Sequence, residues 1–421
     1  MMKQKKIWSR QMKQLTHILK PRTLVSRSII LALVSLLVAC NQEKDKSLTL
    51  STPSVLPADG SRQLYNYHDP NFAAFAQKLK QRRQRVHIVQ LGDSHTAADF
   101  FSGKLRERFQ ADYGNGGIGF IPPTAIAGQR IANIQYQSSK KAWDLLSSRK
   151  ESDPDFPLGG FIAEPVAKWS ALQLNENPTT GQRYQLQALY KAPTASQIHL
   201  QSAGSKTLSL SQTQGEWQFS KPTTITFPIN ITISKNQPIK LGGWLISNQK
   251  PGVMLSALGI NGATINMMDK WGAQWSKTLG QLHPDMVILA YGTNEAFNDT
   301  FDLVAYRQLL VEKIRQIRQQ APNSAILLIG PSDSIKNKDA SDCRSQQPQW
   351  LTDIIRIQKE VAQQERTLFW DWRDYMGGEC SIKAWSIYDL ARPDGVHLSR
   401  EGYESSANTL YSQLSALINK S

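Results

Sequence analysis

A short apolar run that ends in a glycine, an aspartate and a serine is the feature that most constrains how this chain folds. Residues 86–91 are rich in β-branched and apolar side chains, which is typical of a buried strand in a parallel sheet. The run breaks at Gly92, so Ser94 falls just beyond the carboxyl end of the predicted strand. Open α/β sheets place reactive groups at that edge. A serine there needs a base, an orienting carboxylate and oxyanion donors to act as a nucleophile.

The pattern around this strand and after residue 251 predicts a three-layer α/β sandwich with a parallel sheet. Early helices are predicted at 72–85 and 99–113, the second with Thr96 or Asp99 as a possible cap. Later strands are predicted at 255–259, 285–290, 325–330 and 367–371. They alternate with helices, which are predicted to start at the cap Asp302 and to cover 350–364 and 400–419. This alternation implies parallel pairing with right-handed crossovers, so 61–124 and 251–421 form one α/β unit.

Residues 125–250 change character and predict an inserted all-β module. Short alternating runs at 184–188, 197–201, 217–219, 224–227 and 229–233 are separated by Pro, Gly and Asn, as in a β-sandwich with one buried face. Its tryptophans either pack in the core or stack on sugars: Trp169, Trp217 and Trp244.

The run 114–119 fits the dinucleotide pattern G-x-G-x-x-G, but it follows a predicted helix and opens none of its own. We therefore interpret it as a glycine-rich loop near Ser94 that shapes the rim of a pocket.

The amino-terminal stretch is typical of a lipoprotein signal peptide. Residues 1–39 combine a long basic region with an apolar core of about ten residues, too short for a bilayer span of about 20. They end in Leu-Val-Ala before Cys40, the predicted site of cleavage and lipidation. A plain signal peptide with an incidental cysteine is the alternative, and the long basic region also allows translation to start at Met12. Residues 40–60 are polar and predict a tether between membrane and domain.

The formal charge of +15 does not by itself indicate a nucleic-acid partner. Eight of the 49 Lys and Arg residues lie in 1–39, which leaves 41 basic against 34 acidic residues, or +7. No basic run carries interleaved aromatics, so we expect no nucleic-acid binding. An excess of this size is usually a solvated surface, although it could favour an anionic polymer.

Beyond Ser94, the candidate catalytic residues are Asp394 and His397. An imidazole that titrates near neutrality suits the general base, and a carboxylate three residues earlier can fix its tautomer. The seven histidines show no metal-binding spacing, so we expect neither a metal nor a cofactor.

Cys343 and Cys380 remain once Cys40 is assigned to the lipid. In an oxidising compartment they predict a disulfide, with free buried thiols as the alternative.

The order of these blocks resembles that of the SGNH (GDSL-type) hydrolases. The blocks are Gly92-Asp93-Ser94, Gly262, Gly292-Thr293-Asn294-Glu295 and Asp394-x-x-His397. The chain is more closely similar to the Ape1-type bacterial peptidoglycan O-acetylesterases over 61–124 and 251–421, with a β-rich segment between them. The stretches that carry this likeness are 92–95, 114–120, 259–263, 376–381 and 394–397.

This resemblance implies three oxyanion donors: the backbone N–H of Ser94, the backbone N–H of Gly262 and the side-chain amide of Asn294. Gly259 is the rival for the glycine role. Glu295 departs from the aspartate more usual after this asparagine and leaves the amide donor untouched. The resemblance also implies that the inserted module is carbohydrate-binding-like.

The activity implied is that of a serine esterase that removes the 6-O-acetyl group of N-acetylmuramic acid through an acetyl-enzyme. Its partners would be O-acetylated peptidoglycan and, through the lipid, a membrane. Asn41 after the lipidated position points to a periplasmic protein anchored to the outer membrane, if the host is Gram-negative. The alternatives are an acetyltransferase, an esterase for another acylated polysaccharide or lipid, and an inactive wall-binding lipoprotein.

Overall fold

The computed structural model describes residues 63–152, 155–272 and 274–421. The predicted signal peptide (1–39), Cys40 and the tether (40–60) lie outside the described residues. Within the described ranges, no helix has the length and apolar character that crossing a membrane requires.

A six-stranded sheet forms the centre of the α/β unit, and its strand order is β1-β18-β17-β16-β2-β15. The edge strand β1 runs antiparallel to β18, and every other pair is parallel. The strands are β1 (Leu64–Asn66), β2 (Arg85–Gly92), β15 (Gly252–Gly259), β16 (Met286–Ala290), β17 (Ala325–Ile329) and β18 (Leu368–Trp370). The predicted strands are thus confirmed, and they are buried on both faces, as expected for a parallel sheet covered by helices.

Helices cover both faces of this sheet. On one side α1 (Phe72–Gln81), α3 (Phe101–Tyr113) and α11 (Arg400–Lys420) pack against Ile88 and Ile288. On the other side α4 (Trp275–Gln281), α6 (Leu303–Gln320) and α8 (Leu351–Gln364) pack against Val89 and Val287. Because alternate strand residues feed the two apolar cores, the unit is the three-layer sandwich that the sequence predicts.

The shorter helices of the described ranges lie in the connections: α2 (Ser94–Ala97), α5 (Thr293–Ala296), α7 (Cys343–Gln346), α9 (Trp372–Met376) and α10 (Ser381–Ile387). Two 3₁₀ segments cover Lys140–Ala142 and Ile265–Trp271. Asp302 caps α6 as predicted, because its carboxylate accepts from the N–H groups of Val304 at 2.9 Å and Ala305 at 3.0 Å.

The inserted module consists of two antiparallel sheets around their own apolar core. One sheet has the order β10-β9-β13-β7-β4. Its strands are β4 (Ile134–Ser138), β7 (Trp169–Glu176), β9 (Ser196–Gln201), β10 (Ser205–Leu210) and β13 (Ile229–Ser234).

The second sheet has the order β11-β8-β14-β6-β5, with β12 beside β8 and β3 beside β14. Its strands are β3 (Gly117–Ile121), β5 (Trp143–Ser147), β6 (Phe161–Pro165), β8 (Tyr184–Lys191), β11 (Gln218–Phe219), β12 (Thr223–Ile225) and β14 (Lys240–Ser247). The all-β module that the sequence predicts is therefore present. Trp217 and Trp244 are buried in cores, whereas Trp169 is 52% exposed.

The interpretation of 114–119 as a loop at the pocket rim was wrong. Gly117 and Gly119 belong to β3, which pairs with β14, so the all-β sheets begin before residue 125. Gly116 lies against Gly252, where an added Cβ would come 2.6 Å from the Gly252 carbonyl oxygen. That contact is at the amino end of β15, opposite to the end that faces Ser94. Glycine is needed here because two backbones touch.

Two predicted helix ends also need correction. The first helix ends at Gln81 and not at 85, because Arg82 takes a left-handed conformation and β2 starts at Arg85. Neither Thr96 nor Asp99 caps α3, whose N-cap residue is Phe100 and makes no side-chain hydrogen bond. The Asp99 carboxylate instead forms a buried ion pair with Arg106, at 3.1 Å.

Candidate active site

Ser94 lies at the first position of α2, directly beyond the end of β2. Asp93 is the N-cap of this short helix, and its carboxylate accepts from the His95 N–H at 2.9 Å. The Asp93 N–H in turn donates to the Ala290 carbonyl at the end of the neighbouring strand, at 3.4 Å. Asp93 therefore fixes the turn that presents the serine.

The loop before α11 brings Asp394 and His397 to this serine. His397 Nε2 lies 2.9 Å from Ser94 Oγ, and His397 Nδ1 lies 2.9 Å from Asp394 Oδ2. Oδ1 of Asp394 accepts from the backbone N–H groups of Val396 and His397, each at 2.8 Å. An ionised carboxylate can only accept hydrogen bonds, so His397 Nδ1 must carry the ring proton and donate it to Asp394. Nε2 is then unprotonated and can accept from the serine hydroxyl.

The electrostatics of Asp394 favour its charged form. Partial burial raises the pKa of this carboxyl, but the N–H groups of His397 and Val396, together with the His397 ring, outweigh it. Its pKa is therefore lowered below the usual value. A carboxylate held ionised in this way can stabilise an imidazolium that forms on His397.

The two other predicted site residues follow the strands that flank β2 in the sheet. Gly262 lies in a turn after β15 that is closed by the Ala263 N–H and the Ile260 carbonyl, at 3.0 Å. Asn294 lies at the start of α5, after β16, and its Nδ2 donates to the Ala263 carbonyl at 2.9 Å. A primary amide has two hydrogens, so one holds the turn while the second remains for a ligand.

The geometry separates Gly262 from its rival Gly259. Gly259 pairs with Gly92 in the sheet, and an added Cβ would lie 2.2 Å from the Ala97 nitrogen. Its lack of a side chain lets β15 pack against α2. Gly262 instead lies exposed in the turn with φ +76°, where Asn294 reaches the next residue. The position of Gly262 thus suits an oxyanion donor, and that of Gly259 suits close packing.

Glu295 joins these two turns, a role that the sequence analysis missed. Its buried carboxylate accepts from the Ile265 N–H at 2.7 Å and from the Gly292 N–H at 2.9 Å. One bond reaches the segment after Gly262, and the other closes the turn before Asn294. Burial raises the pKa of Glu295 to about 7 against the opposing effect of these N–H donors. An acid three residues after a helix N-cap is a capping signal, which could have revealed this role.

His95, for which the sequence pattern indicates no role, packs beside the ring of His397. Its ring lies 5.4 Å from that of His397 and 5.4 Å from that of Trp372, measured between centroids. Its Nδ1 lies 2.8 Å from Tyr403 Oη. Burial, with a smaller contribution from His397, lowers the pKa of His95 to about 3. His95 is therefore neutral near pH 7 and adds no competing charge beside the base.

Cys343 and Cys380 form a disulfide with a Cα–Cα distance of 6.0 Å, which ties the start of α7 to the start of α10. In the described ranges, no group of three or more His, Cys, Asp or Glu side chains is arranged to hold a metal ion.

A three-layer α/β sandwich in which three strand ends present this serine, glycine and asparagine, and the loop before the last helix presents the histidine, defines an SGNH (GDSL-type) hydrolase. The model for the GDSL-like lipase/acylhydrolase family matches residues 240–404, and the model for the amino-terminal part of peptidoglycan O-acetylesterases matches residues 116–230. A solved peptidoglycan O-acetylesterase is 35% identical with a TM-score of 0.78, covering 86% of this chain and 100% of its own. The chain belongs to the peptidoglycan O-acetylesterase family and is a carboxylic ester hydrolase.

Other solved structures match more weakly. A lipase/acylhydrolase from Enterococcus faecalis is 21% identical with a TM-score of 0.30, covering 39% of this chain and 77% of its own. A family two carbohydrate esterase from Cellvibrio japonicus is 11% identical with a TM-score of 0.29, covering 68% of this chain and 98% of its own. No curated protein sequence matches significantly.

Proposed function

We propose that this protein is a serine esterase that removes O-acetyl groups from peptidoglycan, with the 6-O-acetyl group of N-acetylmuramic acid as its substrate. The observation that carries the proposal is the unbroken chain of 2.9 Å contacts from Ser94 through His397 to Asp394. The choice of substrate is supported by the family, because a solved relative that is 35% identical is a peptidoglycan O-acetylesterase.

In the proposed mechanism, Ser94 Oγ attacks the acetyl carbonyl carbon while His397 Nε2 takes the hydroxyl proton. The N–H groups of Ser94 and Gly262 and the free amide hydrogen of Asn294 stabilise the oxyanion. The tetrahedral species collapses, the C–O bond to the sugar breaks, and His397 returns the proton to the sugar oxygen. Water then attacks the acetyl-enzyme with His397 as base, and acetate leaves as Ser94 regains its proton.

Acetate release from peptidoglycan tests this function. We expect the wild type to release acetate from O-acetylated peptidoglycan and none from the same material after saponification, and we expect Ser94→Ala to release none from either. If the wild type leaves the acetylated polymer unchanged, the proposal fails. Transfer of the acetyl group to an added sugar, without free acetate, would instead identify an acetyltransferase. Binding without turnover would identify a wall-binding protein.

We also propose that the mature protein is anchored through a lipid on Cys40 and faces the periplasm from the outer membrane. The support is the basic region, the short apolar core and the cysteine that follows Leu-Val-Ala. Cell fractionation tests this. Wild type is expected in the outer-membrane fraction and Cys40→Ala in the soluble periplasm or as uncleaved precursor, whereas an unchanged distribution would contradict the anchor.

A further inference from the structure

An arginine of the inserted module lies on the oxyanion turn of the α/β unit. Arg149 follows β5, and its side chain is exposed. A Cβ built on Gly262 would lie 3.6 Å from Nη2 of Arg149 and 3.7 Å from both its Cζ and Nε. Three atoms of the planar group at nearly equal distance mean that the guanidinium lies flat over this side of Gly262. The inserted module thus places a positive charge beside the proposed acyl site.

The position of Arg149 is fixed by contacts between the two parts of the chain. The neighbouring Ser148 is buried, its N–H donates to the Gly160 carbonyl at 2.9 Å, and its Oγ accepts from Trp271 Nε1 at 3.1 Å. Trp271 ends the 3₁₀ segment that follows the Gly262 turn. A Cβ on Gly160 would lie 2.2 Å from Ser148 Oγ, so a glycine is required for this contact. The turn that carries Arg149 is therefore anchored to the 3₁₀ segment that directly follows the Gly262 turn.

The guanidinium of Arg149 has no anionic partner in residues 63–152, 155–272 and 274–421. The backbone N–H of Arg149 donates to Ser147 Oγ at 3.4 Å, while its guanidinium makes neither a hydrogen bond nor an ion pair there. The next residues, Lys150 and Glu151, are exposed and carry opposite charges. A planar guanidinium with unused donors suits a carboxylate, which it can bind through two parallel hydrogen bonds.

We propose that Arg149 binds a carboxylate of the substrate next to the acyl ester. This inference rests on the proposed function, because the peptide stems of peptidoglycan supply such carboxylates. The inserted module then contributes directly to the substrate site, and the enzyme distinguishes acetyl esters on an anionic glycan from those on a neutral one. Arg149 is a binding residue in this account and takes no part in proton transfer.

The test compares O-acetylated muropeptides in their native form with the same fragments after amidation of their carboxylates. We expect wild type to prefer the native fragments. In Arg149→Ala, the ratio of kcat/KM for native over amidated fragments should fall about tenfold, equivalent to about 1.4 kcal/mol. Arg149→Lys should restore part of the ratio, because it keeps the charge without the planar pair of donors. Lys150→Ala removes the same charge one residue away and should leave the ratio unchanged.

Other outcomes separate the possible failures. An unchanged ratio in Arg149→Ala, which includes equal losses of kcat/KM on native and amidated fragments, would overturn the carboxylate site. Equal kcat/KM of the wild type on the two kinds of fragment would also overturn it. The wild-type comparison holds whether or not the variant folds. If the wild type hydrolyses p-nitrophenyl acetate but neither muropeptide, the proposed function itself has failed and the carboxylate site fails with it.

Discussion

At the scale of single residues, the candidate site depends on which ring nitrogen of His397 carries the proton, and Asp394 decides this. Asp394 uses one oxygen for two backbone N–H groups and the other for His397 Nδ1. This division fixes both the direction of the carboxylate and the tautomer of the ring. Nε2 then faces Ser94 Oγ without a proton of its own, as a general base requires.

Replacing Asp394 by Asn should therefore lower kcat by about 10²- to 10⁴-fold with little loss of stability. The amide can keep its oxygen on the two backbone N–H groups, which turns its NH₂ toward Nδ1 and favours the tautomer with a proton on Nε2. Steady-state kinetics on p-nitrophenyl acetate measures the loss. Asp389→Asn is the matched control, since Asp389 is exposed and its φ of +57° suits asparagine. A loss below tenfold in Asp394→Asn would contradict the tautomer argument.

Two buried carboxylates near the site should make stability depend on pH. Burial raises the pKa of Asp93 to about 7, with the Glu295 charge adding to it, and burial raises that of Glu295 to about 7. Their unfolded values are 3.8 and 4.5. Between these limits the folded chain retains protons that the unfolded chain has released. The free energy of unfolding should thus fall as pH rises toward about 7.

Urea unfolding of wild type and Glu295→Gln between about pH 5 and about pH 7 tests this prediction. Glu295→Gln should be less stable than wild type at every pH, because it loses an acceptor for a backbone N–H. Its free energy of unfolding should nevertheless fall less steeply as pH rises. Each unit of raised pKa corresponds to about 1.4 kcal/mol. Equal slopes for the two proteins would show that Glu295 does not titrate in this range.

At the scale of elements, the site forms because three neighbouring strands end at one edge of the sheet. Ser94, Gly262 and Asn294 follow β2, β15 and β16, and β2 lies between the other two. Glu295 and Asn294 then connect the second and third of these ends through hydrogen bonds. The parallel sheet sets the positions of the donors, and the short helices after the strands set their directions.

Gly259 and Gly262, which both follow or end β15, should respond differently to replacement by alanine. Gly259→Ala places a methyl group 2.2 Å from the Ala97 nitrogen, so the strand or the helix that carries Ser94 must move. We expect a loss of about 3 kcal/mol or more. Gly262→Ala meets its nearest neighbour at 3.6 Å and suffers only the strain of φ +76°, about 1–2 kcal/mol. Urea denaturation of both variants measures the difference. The opposite order would mean that the Gly259 contact is looser than the structure indicates.

The disulfide between Cys343 and Cys380 should stabilise the carboxyl-terminal half of the chain. It links residues 37 positions apart, so removing it frees a loop of that size in the unfolded state. A double Cys→Ser variant should lose about 2–4 kcal/mol in the free energy of unfolding. Guanidinium denaturation measures this, with reduced wild type as the control that should match the variant. A variant as stable as oxidised wild type would contradict this prediction.

At the scale of the whole molecule, the fold could be predicted from sequence because apolar runs and their spacing reflect burial. The strands on both sides of the insert and the order of the motif blocks follow from such local patterns. The location of 114–119 could not be predicted, since its glycines are required by a backbone contact with residues far along the chain. The contact of Ser148 with Trp271 is likewise tertiary, so no local pattern indicates that Arg149 reaches Gly262. Glu295 is different, because its capping position is readable from sequence.

During turnover, Ser94 is expected to form a covalent acetyl-enzyme with His397 as its base. Rapid quenching during turnover of an acetyl ester, followed by mass spectrometry of the proteolytic peptides, tests it most directly. We predict the added mass of one acetyl group on the peptide that contains Ser94, and no such adduct in Ser94→Ala. An adduct on another residue, or full turnover in Ser94→Ala, would contradict the account.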